Sequence, residues 1–310
     1  MLDKTKLYLL TGFLGAGKTT FLTNVLKDLD DKKVSVIMNE FGKVGIDGSI
    51  IKKEGMELVE LNQGSIFCSC LQLSFVSALV EMSDRNMEYV FVESSGLADP
   101  SNIDEFLEAV EVAKGDVYNY SGAICIIDGV NFLDQIDDIE TVERQLKFSH
   151  LVTISKADLI DDKKIKRIKE KIRTINKRAD IVESRMGKID YKFLDKDLMI
   201  NDWEEYEDTS NTPENRPKTL TLTFDGELPK EKLTLFLETI KKDCYRIKGF
   251  FKLDDGWNQV DVVNKRIDYS PTDKGENMSE IVIISKIGPQ IIRPIFNAWE
   301  ELVGQDMKLR

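Results

Sequence analysis

Short apolar runs separated by amphipathic stretches dominate the chain up to about residue 200. Leu7–Thr11, Val34–Met38, Glu57–Leu61, Tyr89–Val92, Ser121–Ile127, Leu151–Ile154 and Ala179–Val182 read as strands. Several run on without polar alternation, the mark of strands buried on both faces, as in a parallel sheet. Between them, Phe21–Leu29, a stretch reaching about Met82, Glu140–Phe148 and Lys163–Ile175 place apolar residues at helical spacing. In the last of these Ile165, Ile168, Ile172 and Ile175 share one face, and the basic residues between them read as a solvated face. Strand alternating with helix predicts an α/β domain over residues 1–200: a mainly parallel sheet with helices on both faces.

The pattern breaks at Asn201–Pro217. Glu204, Glu205, Glu207 and Asp208 crowd together there, and Pro213 and Pro217 follow. This composition predicts an exposed linker over 201–217, its acids a solvated tether rather than a metal site. Beyond it, strands at Thr219–Phe224, Tyr245–Leu253, Trp257–Val263 and Ile281–Ser285 mix with helices at Lys232–Ile240 and Gln290–Leu302. A small α+β domain over 218–310 is expected.

The net charge of −12 over 310 residues argues against a surface that coats nucleic acid. No apolar run approaches the ~20 residues of a membrane span, and the first one is too short for a secretion signal. The expectation is a cytoplasmic protein with neither nucleic acid nor membrane as partner. Four cysteines are too few for a disulfide framework in a chain of this length, so they are expected to be thiols.

The chemistry begins at the end of the first strand. Gly12-Phe13-Leu14-Gly15-Ala16-Gly17-Lys18-Thr19-Thr20 fits G-x-x-x-x-G-K-[ST], lying between a strand and a helix, as a P-loop requires. Its glycines let consecutive N–H groups face phosphate oxygens, and the following helix adds the positive end of its dipole. Lys18 is expected at the β- and γ-phosphates and Thr19 on Mg²⁺. Tyr89–Val92 ends on Glu93, and Ser94-Ser95-Gly96 follows. A strand ending in a carboxylate, with glycine three residues on, has the form of a γ-phosphate sensor. Glu93 would hold Mg²⁺ and the Gly96 N–H would face the γ-phosphate. The alternative is a strand-end carboxylate before a helix cap. Leu151–Ile154 delivers Ser155-Lys156-Ala157-Asp158. The Asp158 carboxylate can accept from two guanine donors that adenine lacks, selecting GTP over ATP, while the stem of Lys156 lies along the base. The usual motif begins with Asn, and Ser155 lacks its amide.

Taken together, GFLGAGKTT, MNEFGKVGIDG, ELNQGSIFCSC, VFVESSGLADP, ISKADL and INKRADI resemble, in that order, the CobW-type P-loop GTPases. These are related to the hydrogenase and urease nickel-insertion GTPases. Tyr245-Arg246-Ile247-Lys248-Gly249-Phe250 resembles part of the CobW C-terminal domain. The resemblance implies that Glu93 stands where most GTPases have Asp, that Asn176 lies in the loop bordering the guanine, and that GTP hydrolysis gates transfer of cargo to a client. The family commonly carries C-x-C-C after its Asn-Gly turn as a transition-metal site. Here those three positions are Ser65, Phe67 and Cys68, with Cys70 two residues on, and the position after Glu40-Phe41-Gly42, often acidic, is Lys43. Cys68 and Cys70, with oxygens from Glu40 or Asp47, form a candidate site for zinc or cobalt. The alternative is that they are small residues in a loop-to-helix turn. The sole histidine, His150, would join them only if the fold brought it close. Cys125 and Cys244 are expected in the core or partly buried, rather than as ligands.

The leading reading is a GTPase switch, using GTP and Mg²⁺, that delivers a transition metal or corrinoid to a client metallo- or corrinoid protein. A GTP-gated activator that carries no metal is the alternative. Asp158 argues against a small-molecule kinase. The client, the metal and the oligomeric state are not written in these motifs.

Overall fold

The computed structural model describes residues 4–29, 31–40, 57–62, 72–186, 188–189, 191–201, 217–263, 266–273 and 278–310. The chain divides into two compact units. In the first, β1 (Thr5–Thr11), β2 (Val34–Glu40), β3 (Glu57–Asn62), β4 (Tyr89–Glu93), β5 (Tyr118–Asp128), β6 (Leu151–Ser155) and β7 (Asp180–Glu183) form one sheet in the order β3-β2-β4-β1-β5-β6-β7. Every neighbouring pair is parallel.

The helices are α1 (Lys18–Asp28), α2 (Gln72–Ser83), α3 (Ile103–Lys114), α4 (Phe132–Gln135), α5 (Glu140–Lys147) and α6 (Asp162–Ile175). Successive residues of β1 serve opposite faces of the sheet. Tyr8 and Leu10 join a core with Phe21, Leu22, Val25 and Leu26 of α1, whereas Leu7 and Leu9 join Phe75 and Leu79 of α2 and Phe106 and Val110 of α3. A strand buried on both faces cannot alternate polar with apolar, which accounts for the continuous runs in the sequence. α6 starts on a cap: the Asp161 side chain accepts from the Lys164 N–H at 2.8 Å. The hydrophobic pattern did not single out α3, whose Val112 is almost fully exposed.

β1 lies at the centre, with β4 on one side and β5 on the other. Parallel strands put all their carboxyl ends on one edge of the sheet, where such folds bind ligands. That edge collects Gly12, Glu93, Asp128 and Ser155, the registers pairing Leu10 with Glu93 and Asp128 with Ser155.

In the second unit, β8 (Thr219–Phe224), β9 (Cys244–Leu253), β10 (Gly256–Val263), β11 (Arg266–Pro271), β12 (Ser279–Ser285) and β13 (Lys308–Leu309) form an antiparallel sheet in the order β11-β10-β9-β12-β8-β13. Two helices, α7 (Lys230–Ile240) and α8 (Ile292–Leu302), share its core. Leu233, Phe236, Leu237 and Ile240 make the apolar stripe of α7. Trp299 of α8 meets Phe236 edge-on, with ring centroids 5.0 Å apart, and its indole N–H donates to the Gln305 carbonyl at 2.7 Å. β11 and β13 were not anticipated: the first carries Arg266, Asp268 and Pro271, and the second has two residues. The expected linker falls mostly at 202–216, outside the described residues.

Candidate functional site

The P-loop leaves β1 at Gly12, where φ is +136°. A β-carbon there would lie 2.1 Å from the carbonyl oxygen of Ile126 in β5, so no side chain fits. Gly15 and Gly17 also take positive φ, at 75° and 98°, and Gly17 caps α1. Ala16 is buried and its N–H closes a turn onto the Phe13 carbonyl at 3.1 Å. The first turn of α1 contains Lys18, Thr19 and Thr20 and no acid of its own, which leaves the positive end of its dipole for groups from outside the helix. The Lys18 ammonium, 8% exposed, turns back into the loop and donates to the Gly12 carbonyl at 2.8 Å.

The Thr19 hydroxyl donates to Glu93 Oε1 at 3.2 Å, across 74 residues of chain. A hydroxyl and a carboxylate converging beside a lysine and a helix N-terminus form an oxygen donor set that suits Mg²⁺, and Glu93 is only 5% exposed. The loop after Glu93 lies directly against the P-loop: a β-carbon on Gly96 would sit 2.7 Å from the Leu14 backbone nitrogen. The Ser94 hydroxyl donates to the Leu10 carbonyl at 3.1 Å, tying the start of that loop to β1.

On the other side of β1, the Ser155 hydroxyl donates to the Ala16 carbonyl at 2.6 Å, and the Lys156 ammonium donates to the Gly15 carbonyl at 3.0 Å. Lys156 takes φ +55°, an uncommon conformation for a side-chain-bearing residue. Asp128, 4% exposed, holds it there: its Oδ2 accepts from the Lys156 ammonium at 2.7 Å, while Oδ1 accepts from the Val130 N–H at 2.9 Å. The sequence showed Asp128 only as a strand end; lying at the carboxyl edge was the one signal for it. Asp158 is exposed and one of its oxygens accepts from the Met186 N–H at 2.9 Å.

Asn176 requires a correction. Its side-chain amide donates to the Leu146 and Ser149 carbonyls at 2.9 and 2.8 Å, and its oxygen accepts from the Ala179 and Arg178 N–H groups at 2.8 and 3.1 Å. It precedes β7 and therefore lies at the amino edge of the sheet, away from Asp158. The loop beside Asp158 is instead the one after β7, where Ser184 accepts from the Ala157 N–H at 3.1 Å. Asn176 pins backbone and has no side-chain group left for a base. His150 is also at the amino edge, just before β6, fully buried, with Nδ1 accepting from the Ala123 N–H at 2.9 Å. The fold does not bring it to the carboxyl-edge loops.

Cys68, Cys70, Lys43 and Asp47 lie outside the described residues, and Glu40 closes β2 with its side chain outside them too. Among the described residues no group of three or more His, Cys, Asp or Glu side chains is arranged to hold a metal. Cys125 and Cys244 are buried thiols, each pushed up to about 12 by burial. Among the described residues no helix is long and apolar enough to cross a membrane.

A central strand running through a glycine loop into a helix, with a carboxylate on the next strand facing the loop, defines a P-loop nucleotide-binding protein. The CobW/HypB/UreG nucleotide-binding domain model matches residues 6–183, and the cobalamin synthesis protein cobW C-terminal domain model matches 218–299. The chain belongs to the CobW/HypB/UreG family of P-loop GTPases. The zinc chaperone YjiA of Escherichia coli is 30% identical over 191 residues, 60% of this chain and 59% of that one. The zinc chaperone CobW of Pseudomonas aeruginosa is 26% identical over 292 residues, 80% of this chain and 77% of that one. The matched region thus spans about three fifths of the Escherichia coli relative's length. A crystal structure of Zn(II)-bound YjiA GTPase from E. coli is similar at TM-score 0.48 and 22% identity, over 97% of this chain and 99% of that one.

Proposed function

We propose that this protein binds GTP with Mg²⁺, hydrolyses it slowly, and uses the change from GTP to GDP to hand a transition metal to a client metalloprotein. The observation that carries this reading is the convergence of Thr19 and Glu93, 3.2 Å apart, at the mouth of the glycine loop. Lys18 and the loop N–H groups would neutralise phosphate charge, and the Gly96 N–H would meet the γ-phosphate. Thr19 and Glu93 would hold Mg²⁺, which when bound offsets charge on the phosphate oxygens. Asp158 would read guanine, with Lys156, fixed by Asp128, lying along the base. No arginine of the loops after β2 and β4 stands out as a finger, so turnover of the isolated protein is expected on the order of 10⁻⁴ to 10⁻² per second.

The relatives described as zinc chaperones make zinc the preferred cargo over cobalt or a corrinoid. The altered cysteine motif favours a second reading, a GTP-gated activator that carries no metal. Titration of Zn²⁺ and Co²⁺ with Mg·GTP or Mg·GDP bound separates the two. One-to-one binding that depends on nucleotide and disappears in Cys68→Ser/Cys70→Ser supports metal delivery. Binding no tighter than in that variant removes the metal and leaves the activator.

A further inference from the structure

Helix α5 grips the loop that follows Glu93. Gln145, 1% exposed, donates from Nε2 to the Gly96 carbonyl at 3.2 Å and to the Ala98 carbonyl at 2.9 Å. Its neighbour Arg144 donates from Nε to Asp99 Oδ2 at 2.6 Å, and its guanidinium lies over the Phe148 ring, 5.1 Å from the centroid. Asp99 is itself buried, and its Oδ1 accepts from the Ser101 N–H at 3.0 Å.

Within the loop, the Ala98 N–H donates to the Ser95 carbonyl at 3.1 Å. That carbonyl and the Gly96 N–H belong to one planar trans peptide, so fixing one direction fixes the other. The turn that aims the Gly96 N–H is therefore the turn Gln145 holds by two of its carbonyls. Among the described residues, the Ser95 hydroxyl of this loop and Gln145 Oε1 are buried without a hydrogen-bond partner.

We propose that Gln145 and Arg144 are positioning residues for γ-phosphate recognition, setting how strongly the protein prefers GTP to GDP and how fast it hydrolyses GTP. This rests on reading the Glu93–Pro100 loop as the γ-phosphate sensor. Neither side chain is assigned contact with nucleotide; each acts through the loop backbone.

The test compares the full chain with Gln145→Leu and Arg144→Lys. Equilibrium affinities for GDP and for a non-hydrolysable GTP analogue are measured with Mg²⁺, alongside single-turnover hydrolysis and thermal melting. In Gln145→Leu, analogue affinity and hydrolysis rate should each fall about tenfold, the scale of one to two lost hydrogen bonds, with GDP affinity within about twofold of wild type. Arg144→Lys, which keeps a cation beside Asp99, should show the same selective loss to a smaller extent. Should Gln145→Leu not fold, Arg144→Gln provides the same comparison. Equal losses for GDP and analogue would mean a structural role only and overturn the proposal, as would wild-type selectivity in both variants. A wild-type chain that binds neither nucleotide would instead overturn the reading of the site itself, an outcome visible before any variant is made.

Discussion

Replacing Gly96 by alanine tests the sensor loop with the smallest possible change. Gly96 does not have a positive φ, so alanine can adopt its backbone conformation. The added carbon would lie 2.5 Å from Leu14 Cδ2 and 2.7 Å from the Leu14 backbone nitrogen. The side-chain tip can rotate away. The nitrogen cannot, because it belongs to a P-loop whose neighbour Gly12 is already wedged against Ile126. Ordinary contact begins at 3.4 Å, so the loop must back away by about 0.7 Å. A hydrogen bond from the Gly96 N–H to a phosphate oxygen would lengthen from about 2.9 Å to about 3.6 Å, beyond useful range.

A hydrogen bond to a charged acceptor is worth about 1.5–3 kcal/mol, or roughly 10- to 150-fold. Single-turnover hydrolysis by Gly96→Ala should fall by that factor while GDP affinity stays near wild type, because GDP has no γ-phosphate. Overpacking of this kind costs about 1–3 kcal/mol, so the melting temperature should fall by several degrees while the chain stays folded at assay temperature. Hydrolysis at the wild-type rate would refute the reasoning, for it would mean that this N–H is not used.

The remaining predictions concern the other parts of the site. Glu93→Gln removes the charge beside Thr19, and the Mg²⁺ concentration giving half-maximal hydrolysis should rise at least about tenfold in a metal titration. Asp158→Ala should reduce the preference for GTP over ATP by about 100-fold in competition binding, mostly through weaker GTP binding. Burial raises the Cys125 and Cys244 thiols to about 12, so at pH 8 both are almost wholly protonated and poorly nucleophilic. Iodoacetamide at pH 8 should modify these two only after denaturant is added, as peptide mass mapping would show.

The parts of this molecule that were legible in the sequence are those whose evidence is local. The P-loop carries its glycines, lysine and flanking elements within a few residues, and the strand ending at Glu93 ends beside its own glycine. Residues whose roles depend on distant partners were not legible. Gln145 meets Gly96 across 49 residues, and Asp128 meets Lys156 across 28. Neither pairing leaves a trace in spacing. Asn176 was placed beside the base by resemblance, yet the direction of β7 puts it at the far edge of the sheet, where its amide satisfies carbonyls left open after α5. His150 was left open for the same reason. In a parallel sheet, whether a residue precedes or follows its strand decides which edge it joins.

Ser155 shows what the departure from the usual base motif changes. Its hydroxyl reaches the Ala16 carbonyl at 2.6 Å, and Lys156 reaches the next carbonyl back, at Gly15. The strand end is therefore tied to the P-loop at two successive residues without an amide. The short side chain keeps the architecture of the loop and gives up only the extra hydrogen-bonding group an asparagine would bring. On the proposed reading, base recognition would rest on Asp158, at an exposed position, and the stem of Lys156, while the phosphate side would have Lys18, Thr19, Glu93 and the Gly96 loop. That arrangement would weight binding energy toward the phosphates, the end of the nucleotide that differs between GTP and GDP. In the proposed switch, the two nucleotide states would be distinguished at the loop held by α5 more than at the base, as release of a cargo on hydrolysis would require.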